Sequence, residues 1–326
     1  MAVRKVEQEL ERLTALGEAS EPEAIAGLAK SLGDHVNIIV AKSARIAAAR
    51  RFASLTPHLL RAFDRLFQEC HERDPQCWAK NAIAQALVDL EYREAAPFIR
   101  GVRHVQMEPV WAGQEDTAPT LRSICALALP ACEGIDRGEV LRLLVEALSD
   151  RADPVRVDAV RALGEMDGEE GVLLLRLKAR LGDSSPRVTG QIFDTVLALE
   201  GRDAVKFVAG FLDGAAEASA EAALSLGSSR LPEAVDSLID CWERTHDPDL
   251  RMATLRGLAV SRQEPALDFL MKLIREGRTR DAVAAIDALS VARDAEEIRK
   301  RVEAAASVRE PEVREALQKA FSMPAC

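Results

Sequence analysis

Residues 153–164 read DPVRVDAVRALG, and the reading of this stretch decides the fold. An Asp followed by a Pro opens it. Proline has no amide hydrogen and a φ already close to the helical value, so it suits the first turn of a helix and breaks one deeper in. Val155, Ala159, Ala162, Leu163 and Met166 then recur at the spacing of one helical face. The cluster DGEEG at 167–171 interrupts the pattern. A second apolar run, VLLLRLKARLGD at 172–183, follows, with Leu173, Leu174, Leu177 and Leu181 as its predicted core residues. The stretch predicts two short helices joined by a tight turn.

The same unit recurs along the chain. Pro154 and Pro186 are 32 residues apart; Pro186 and Pro248 are 62 apart, and Pro248 and Pro311 are 63 apart, each the length of two units. A pair of short helices cannot bury both apolar faces alone, so neighbouring pairs must stack. The expected fold is all-α, an α-α superhelix or solenoid of about eight helix pairs. Its regular part is residues 131–326, in units of 31–32 residues. Residues 1–130 are expected to be irregular helical repeats of the same continuous solenoid.

Asp153, Pro154, Val155, Arg156, Ala159, Arg161, Ala162, Leu163 and Gly164 together resemble the HEAT repeat, above all the short bacterial repeats shared with phycobilisome lyase subunits. DPDLRMATLRGLA at 247–259 and EPEVREALQKAF at 310–321 are weaker copies. The resemblance spans most of residues 130–321. It implies the fold and leaves the function open, because repeats of this kind serve unrelated roles.

The composition agrees with a helical protein: 48% hydrophobic, 29% charged and only 4% aromatic over 326 residues. Apolar runs are short and broken by charge, so no transmembrane helix is expected. The opening MAVRKVEQELERL lacks the continuous apolar core of a secretory signal, and a cytoplasmic location is the expectation. Six cysteines, at 70, 77, 125, 132, 241 and 326, form no CxxC pair and read as reduced, buried side chains. The net charge of −10 is uneven. Residues 1–130 hold 16 basic and 17 acidic side chains, four of the five His and two of the three Trp, while the remainder carries a net −9. An acidic surface repels nucleic acid.

One stretch does not fit the repeat. Pro75 and Pro119 are 44 residues apart, about a dozen too many, and the excess falls on QMEPVWAGQEDTA at 106–118. This insertion is expected to be a loop between the two helices of one repeat. Long loops in compact repeats are often functional. Arg100, Arg103 and His104 precede it, Glu108, Trp111 and Asp116 lie in it, and Arg122 follows it in the next helix. Arg, His, Trp and paired carboxylates on one loop make a polar-aromatic binding patch, unless Trp111 and Met107 fold back onto the solenoid. Trp78, Lys80 and Asn81 open another helix, and the Lys of VAKSAR (40–45) repeats one unit earlier. Lys42, Arg45, Lys80 and Asn81 are therefore expected to line a groove together with the insertion.

No catalytic constellation accompanies these residues. Cys70, His71 and Cys77 lack zinc spacing. Deoxyhypusine hydroxylases, which share helical repeats, hold iron through several His-Glu dipeptides, and this chain has one, His71-Glu72. Serine elbows, phosphate loops and dinucleotide fingerprints are absent. The expectation is a non-catalytic scaffold without cofactor or metal that binds a protein or peptide partner through its concave groove and the insertion. Two alternatives stand beside it. One is a lyase-like enzyme or accessory subunit, implied by the lyase resemblance and working through Cys70, Cys77 or the insertion. The other is a nucleic-acid-binding repeat protein using the N-terminal arginines.

Overall fold

The computed structural model describes residues 2–68, 70–111, 113–166, 168–292 and 295–322. Cys326 lies outside the described residues, and so do the side chains of Cys70 and His71. The chain divides into two compact units, residues 1–171 and 172–326.

Unit 1 contains α1 (Ala2–Glu18), α2 (Glu21–Ser31), α3 (Asn37–Ala49), α4 (Thr56–Leu66), the single turn α5 (Cys70–Arg73), α6 (Trp78–Asp89) and α7 (Ala96–Val102). A hairpin of β1 (Met107–Val110) and β2 (Gly113–Asp116) follows, then α8 (Pro119–Ala128), α9 (Arg137–Ala147) and α10 (Asp153–Gly164). The division between the units falls in the first turn of α11 (Glu169–Leu181). Within unit 1, α1, α3, α6, α8 and α10 pack on one another in that order, and α7 packs on α9 beside them. Val155, Ala159, Ala162 and Leu163 of α10 are completely buried, as their spacing predicts.

Unit 2 continues with α12 (Pro186–Glu200), α13 (Arg202–Ala209), α14 (Ala216–Ser228), α15 (Glu233–Arg244) and α16 (Pro248–Ser261). It ends with α17 (Glu264–Glu276), α18 (Thr279–Leu289), α19 (Glu296–Ala306) and α20 (Pro311–Ser322). The even-numbered helices α12 to α20 form one row, each packed on the next, and α13, α15, α17 and α19 form the other. Prolines 186, 248 and 311 each open a helix of the first row. The α16 start shows the local logic in full: the Asp247 side chain accepts the Leu250 amide at 2.8 Å, which satisfies a donor that the helix cannot. Two glycines let the row close up. Gly227 of α14 faces Gly257 of α16, and a Cβ on either would run into the backbone of the other helix.

Three expectations need correction. The buried face of α11 is Leu175 and Ala179, whereas Leu173, Leu177 and Leu181 are 62%, 55% and 75% exposed. The run has leucines on several faces, so spacing alone did not select the one that packs. The insertion forms a two-stranded antiparallel hairpin with Val110 paired to Gly113, where a loop was expected. It also lies between repeats and not inside one: α8 belongs to the row of α6 and α10, so the hairpin joins the second helix of one pair to the first helix of the next.

Candidate functional site

The hairpin is short and irregular in sequence, with Pro109 and Gly113 in its strands. Two strands alone are marginal in water, so what holds this one must lie outside it. The base supplies the answer. Asp116 accepts the amides of Gln106 (3.2 Å) and Ala118 (3.0 Å) and pairs with Arg122 Nη1 at 2.7 Å. Glu108 accepts the Thr117 hydroxyl at 2.7 Å and the Gln76 amide at 2.6 Å, and also a hydrogen bond from Gln106 Nε2. Gln106 in turn donates to the Asp74 carbonyl at 2.9 Å. Burial pulls both the Glu108 and the Asp116 carboxyl upward. The donors around each outweigh it and hold both below the ordinary carboxylate range.

Arg122 is the centre of this network. Its side chain is only 5% exposed. Nε and Nη2 grip Asp150 at 2.7 and 3.0 Å, and Nη1 donates to the His104 carbonyl at 3.0 Å. The arrangement is a repeat feature. Arg251, in the equivalent turn of α16, donates to the carbonyls of Trp242 and Thr245 and to Asp281. Both arginines join the loop before their own helix to an Asp some 30 residues on. In one repeat the same guanidinium has been extended to hold the hairpin through Asp116.

The remaining residues expected around the insertion divide by exposure. Trp111 occupies the hairpin turn and is 105% exposed, with Met107 and Val110 half-exposed behind it. Arg100 bonds Asp64 at 2.9 Å and stacks its guanidinium 4.0 Å from the Phe67 ring. Arg103 lies 3.6 Å from Glu146. His104 packs edge-on against Phe67, and burial holds its ring below the ordinary imidazole range.

The second group, at α6, separates as well. Asp74 accepts the amides of Ala79 (2.9 Å) and Lys80 (3.0 Å) and so caps α6 across two left-handed residues, Gln76 and Cys77. Lys80 turns inward: Nζ sits 3.2 Å from Asp74, and both side chains are 0% exposed. Lys80 therefore does not reach the groove where it was expected. Trp78 and Asn81 do. Trp78 walls an apolar hollow of about 720 Å³ with Leu10, Ile38 and Ile46. Asn81 lines an adjoining hollow of about 610 Å³ with Arg51, Gln85 and Asp89. Arg45 and Ala49 of α3 line both. Lys42 lines the first, its amine bonded to the Leu10 carbonyl at 2.7 Å. The hairpin lines neither hollow. It is tied to this groove through Glu108 and the Gln76 amide, two residues before Trp78.

Sequence reasoning missed Asp74, Gln106 and Asp150, the groups that fix the site in place. It missed the apolar wall of Leu10 and Ile38 too. No signal in their spacing marks them: Asp150 meets Arg122 from 28 residues on, Gln106 reaches back 32 residues to Asp74, and Asp74 meets Lys80 across an irregular turn. Cys77 is buried, and burial pushes its thiol up to about 12, so it offers no thiolate at neutral pH. Among the described residues no group of three or more His, Cys, Asp or Glu side chains could hold a metal ion. No described helix is long and apolar enough to cross a membrane.

Residues 205–290, the stretch from α13 to α18, match the family model for HEAT repeats. No curated protein matches the sequence. Among solved structures, human deoxyhypusine hydroxylase in complex with glycerol is similar at 20% identity, over 76% of this chain and 88% of that one, with a TM-score of 0.31. Kap121p is similar at 12% identity over 94% of this chain, with a TM-score of 0.39, and the chain spans 42% of its length.

Proposed function

We propose that this chain is a non-catalytic HEAT-repeat scaffold that binds a protein or peptide partner through two features of unit 1, the hairpin tip and the groove across α3, α6 and α8. One observation carries the reading. Trp111 is fully exposed on a ribbon whose base is locked by a buried arginine and two carboxylates. Leaving an indole in water forgoes about 1.5–3 kcal/mol of burial, and aromatic side chains on rigid supports are the usual anchors of protein interfaces. Most of the charges near Trp111 are spoken for by internal partners, so they support the tip and do not reach outward with it.

The test is capture of binding proteins from the source cell by wild type and by Trp111→Ala. Loss of capture at an unchanged melting temperature supports the proposal. Equal capture by both proteins removes the hairpin from it. A large drop in melting temperature would show that Trp111 is a packing element.

A further inference from the structure

We infer that the groove of unit 1 takes an extended acidic peptide segment, with a bulky apolar side chain in the hollow beside Trp78 and a carboxylate on Arg45. The inference rests on the reading of the chain as a partner-binding protein and names the chemistry of the partner at one of its two features.

Three observations lead to it. The apolar hollow has room for a large side chain, and Ile38 and Trp78 are exposed in its wall, 37% and 46%. Next, Arg45 lies where the two hollows meet, and Arg51 lines the second. Neither arginine pairs with a carboxylate among the described residues, in contrast to Arg100 and Arg122 of the same unit. Last, Asn81 lines the second hollow with an amide oxygen that accepts no hydrogen bond and is closed off from solvent. A groove with an apolar end, two unpaired guanidiniums and an unpaired amide matches a chain carrying an apolar residue, carboxylates and backbone N–H groups. The apolar anchor and the first carboxylate fall close together on that chain, because Arg45 borders the apolar hollow itself.

Single-stranded nucleic acid offers rings and negative charge as well, but the groove is poorly built for it. Two free cations are few against the 6–10 phosphate contacts, roughly, of a strongly bound nucleic acid.

The experiment is selection of displayed random dodecapeptides on the full chain. The expected outcome is enrichment of peptides that place Asp or Glu within about two positions of Phe, Trp, Leu or Ile. An enriched peptide, made as a fluorescein conjugate, should bind at least tenfold more weakly to Arg45→Glu and to Trp78→Ala and equally well to Trp111→Ala. Arg45 is exposed on α3, so its reversal should leave the helical circular dichroism unchanged. No enrichment, enrichment without acidic residues, affinity that survives Arg45→Glu, or displacement of the peptide by single-stranded DNA would each overturn the inference. Loss of partner capture by Trp111→Ala alongside a failed selection would leave the hairpin reading standing and remove only this one.

Discussion

The carboxylate of Glu108, on β1, accepts the Gln76 amide, in the turn before α6, at 2.6 Å. One side chain thus joins the hairpin that presents Trp111 to the helix that presents Trp78. Gln76 and Cys77 are both left-handed, at φ 59° and 55°, a conformation costly for residues with a Cβ. Glu108→Ala removes the acceptor from the strained turn and should loosen both ends at once. Amide exchange should speed up in residues 76–80 and 107–116 together. Faster exchange in the hairpin alone would show that the turn holds without it.

The Asp74–Lys80 pair is buried on both sides. Removing one partner strands a charge in the interior, at a typical cost of about 3–5 kcal/mol. Asp74→Ala should cost at least that, since it also uncaps α6. The double variant Asp74→Ala, Lys80→Met should recover part of the loss, because no charge is left unpaired. Urea unfolding of the three proteins measures this, and a double variant no better than the single would show that the cap outweighs the ion pair.

Acid should release the hairpin before it unfolds the repeats. Glu108 and Asp116 have folded values below their ordinary 4.5 and 3.8, so their stabilisation is present above those values and is lost as pH falls through the lower folded ones. His104 acts in the same direction. Its buried ring is held below its ordinary 6.5, so the folded form is favoured above that pH and disfavoured as protonation is forced. Amide resonances of 107–116 should therefore broaden or shift progressively below about pH 6.5, and most steeply below about pH 4. A hairpin spectrum constant from pH 7 to pH 3 would contradict this.

Gly257→Ala should destabilise unit 2, because the added Cβ meets the Ala223 carbonyl oxygen of α14. Overpacking of a closed contact costs typically about 1–3 kcal/mol. Gly17→Ala in α1 is the matched control. Its Cβ meets nothing, and the gain in helix propensity should stabilise by about 0.5–1 kcal/mol. Thermal unfolding of the two variants should shift in opposite directions.

The repeat was legible because its signal is local. Pro186, Pro248 and Pro311 start helices for reasons contained in the proline ring, and the apolar spacing of DPVRVDAVRALG leaves one face to bury. The run from Leu173 to Leu181 was ambiguous because it has apolar residues on several faces, and its packing partners made the choice. MEPV and GQED carry almost no strand propensity. They pair because Arg122, Thr117 and Gln76 lie around their base; Arg122 stood out beside the insertion, but Thr117 is unremarkable in sequence and Gln76 is distant. Lys80 resembled a groove residue because its counter-ion, Asp74, is six positions back across an irregular turn, outside the spacing at which helical charges meet. Trp111 stood out in sequence as an outlier of composition, but its full exposure is a property of the hairpin and is not written in its neighbours.

Arg122 is bonded both to Asp116 below the ribbon and to Asp150 before α10. The base of the ribbon and the turn before α10 therefore share one guanidinium, so a change that moves Asp116 or Asp150 acts on the other through Arg122.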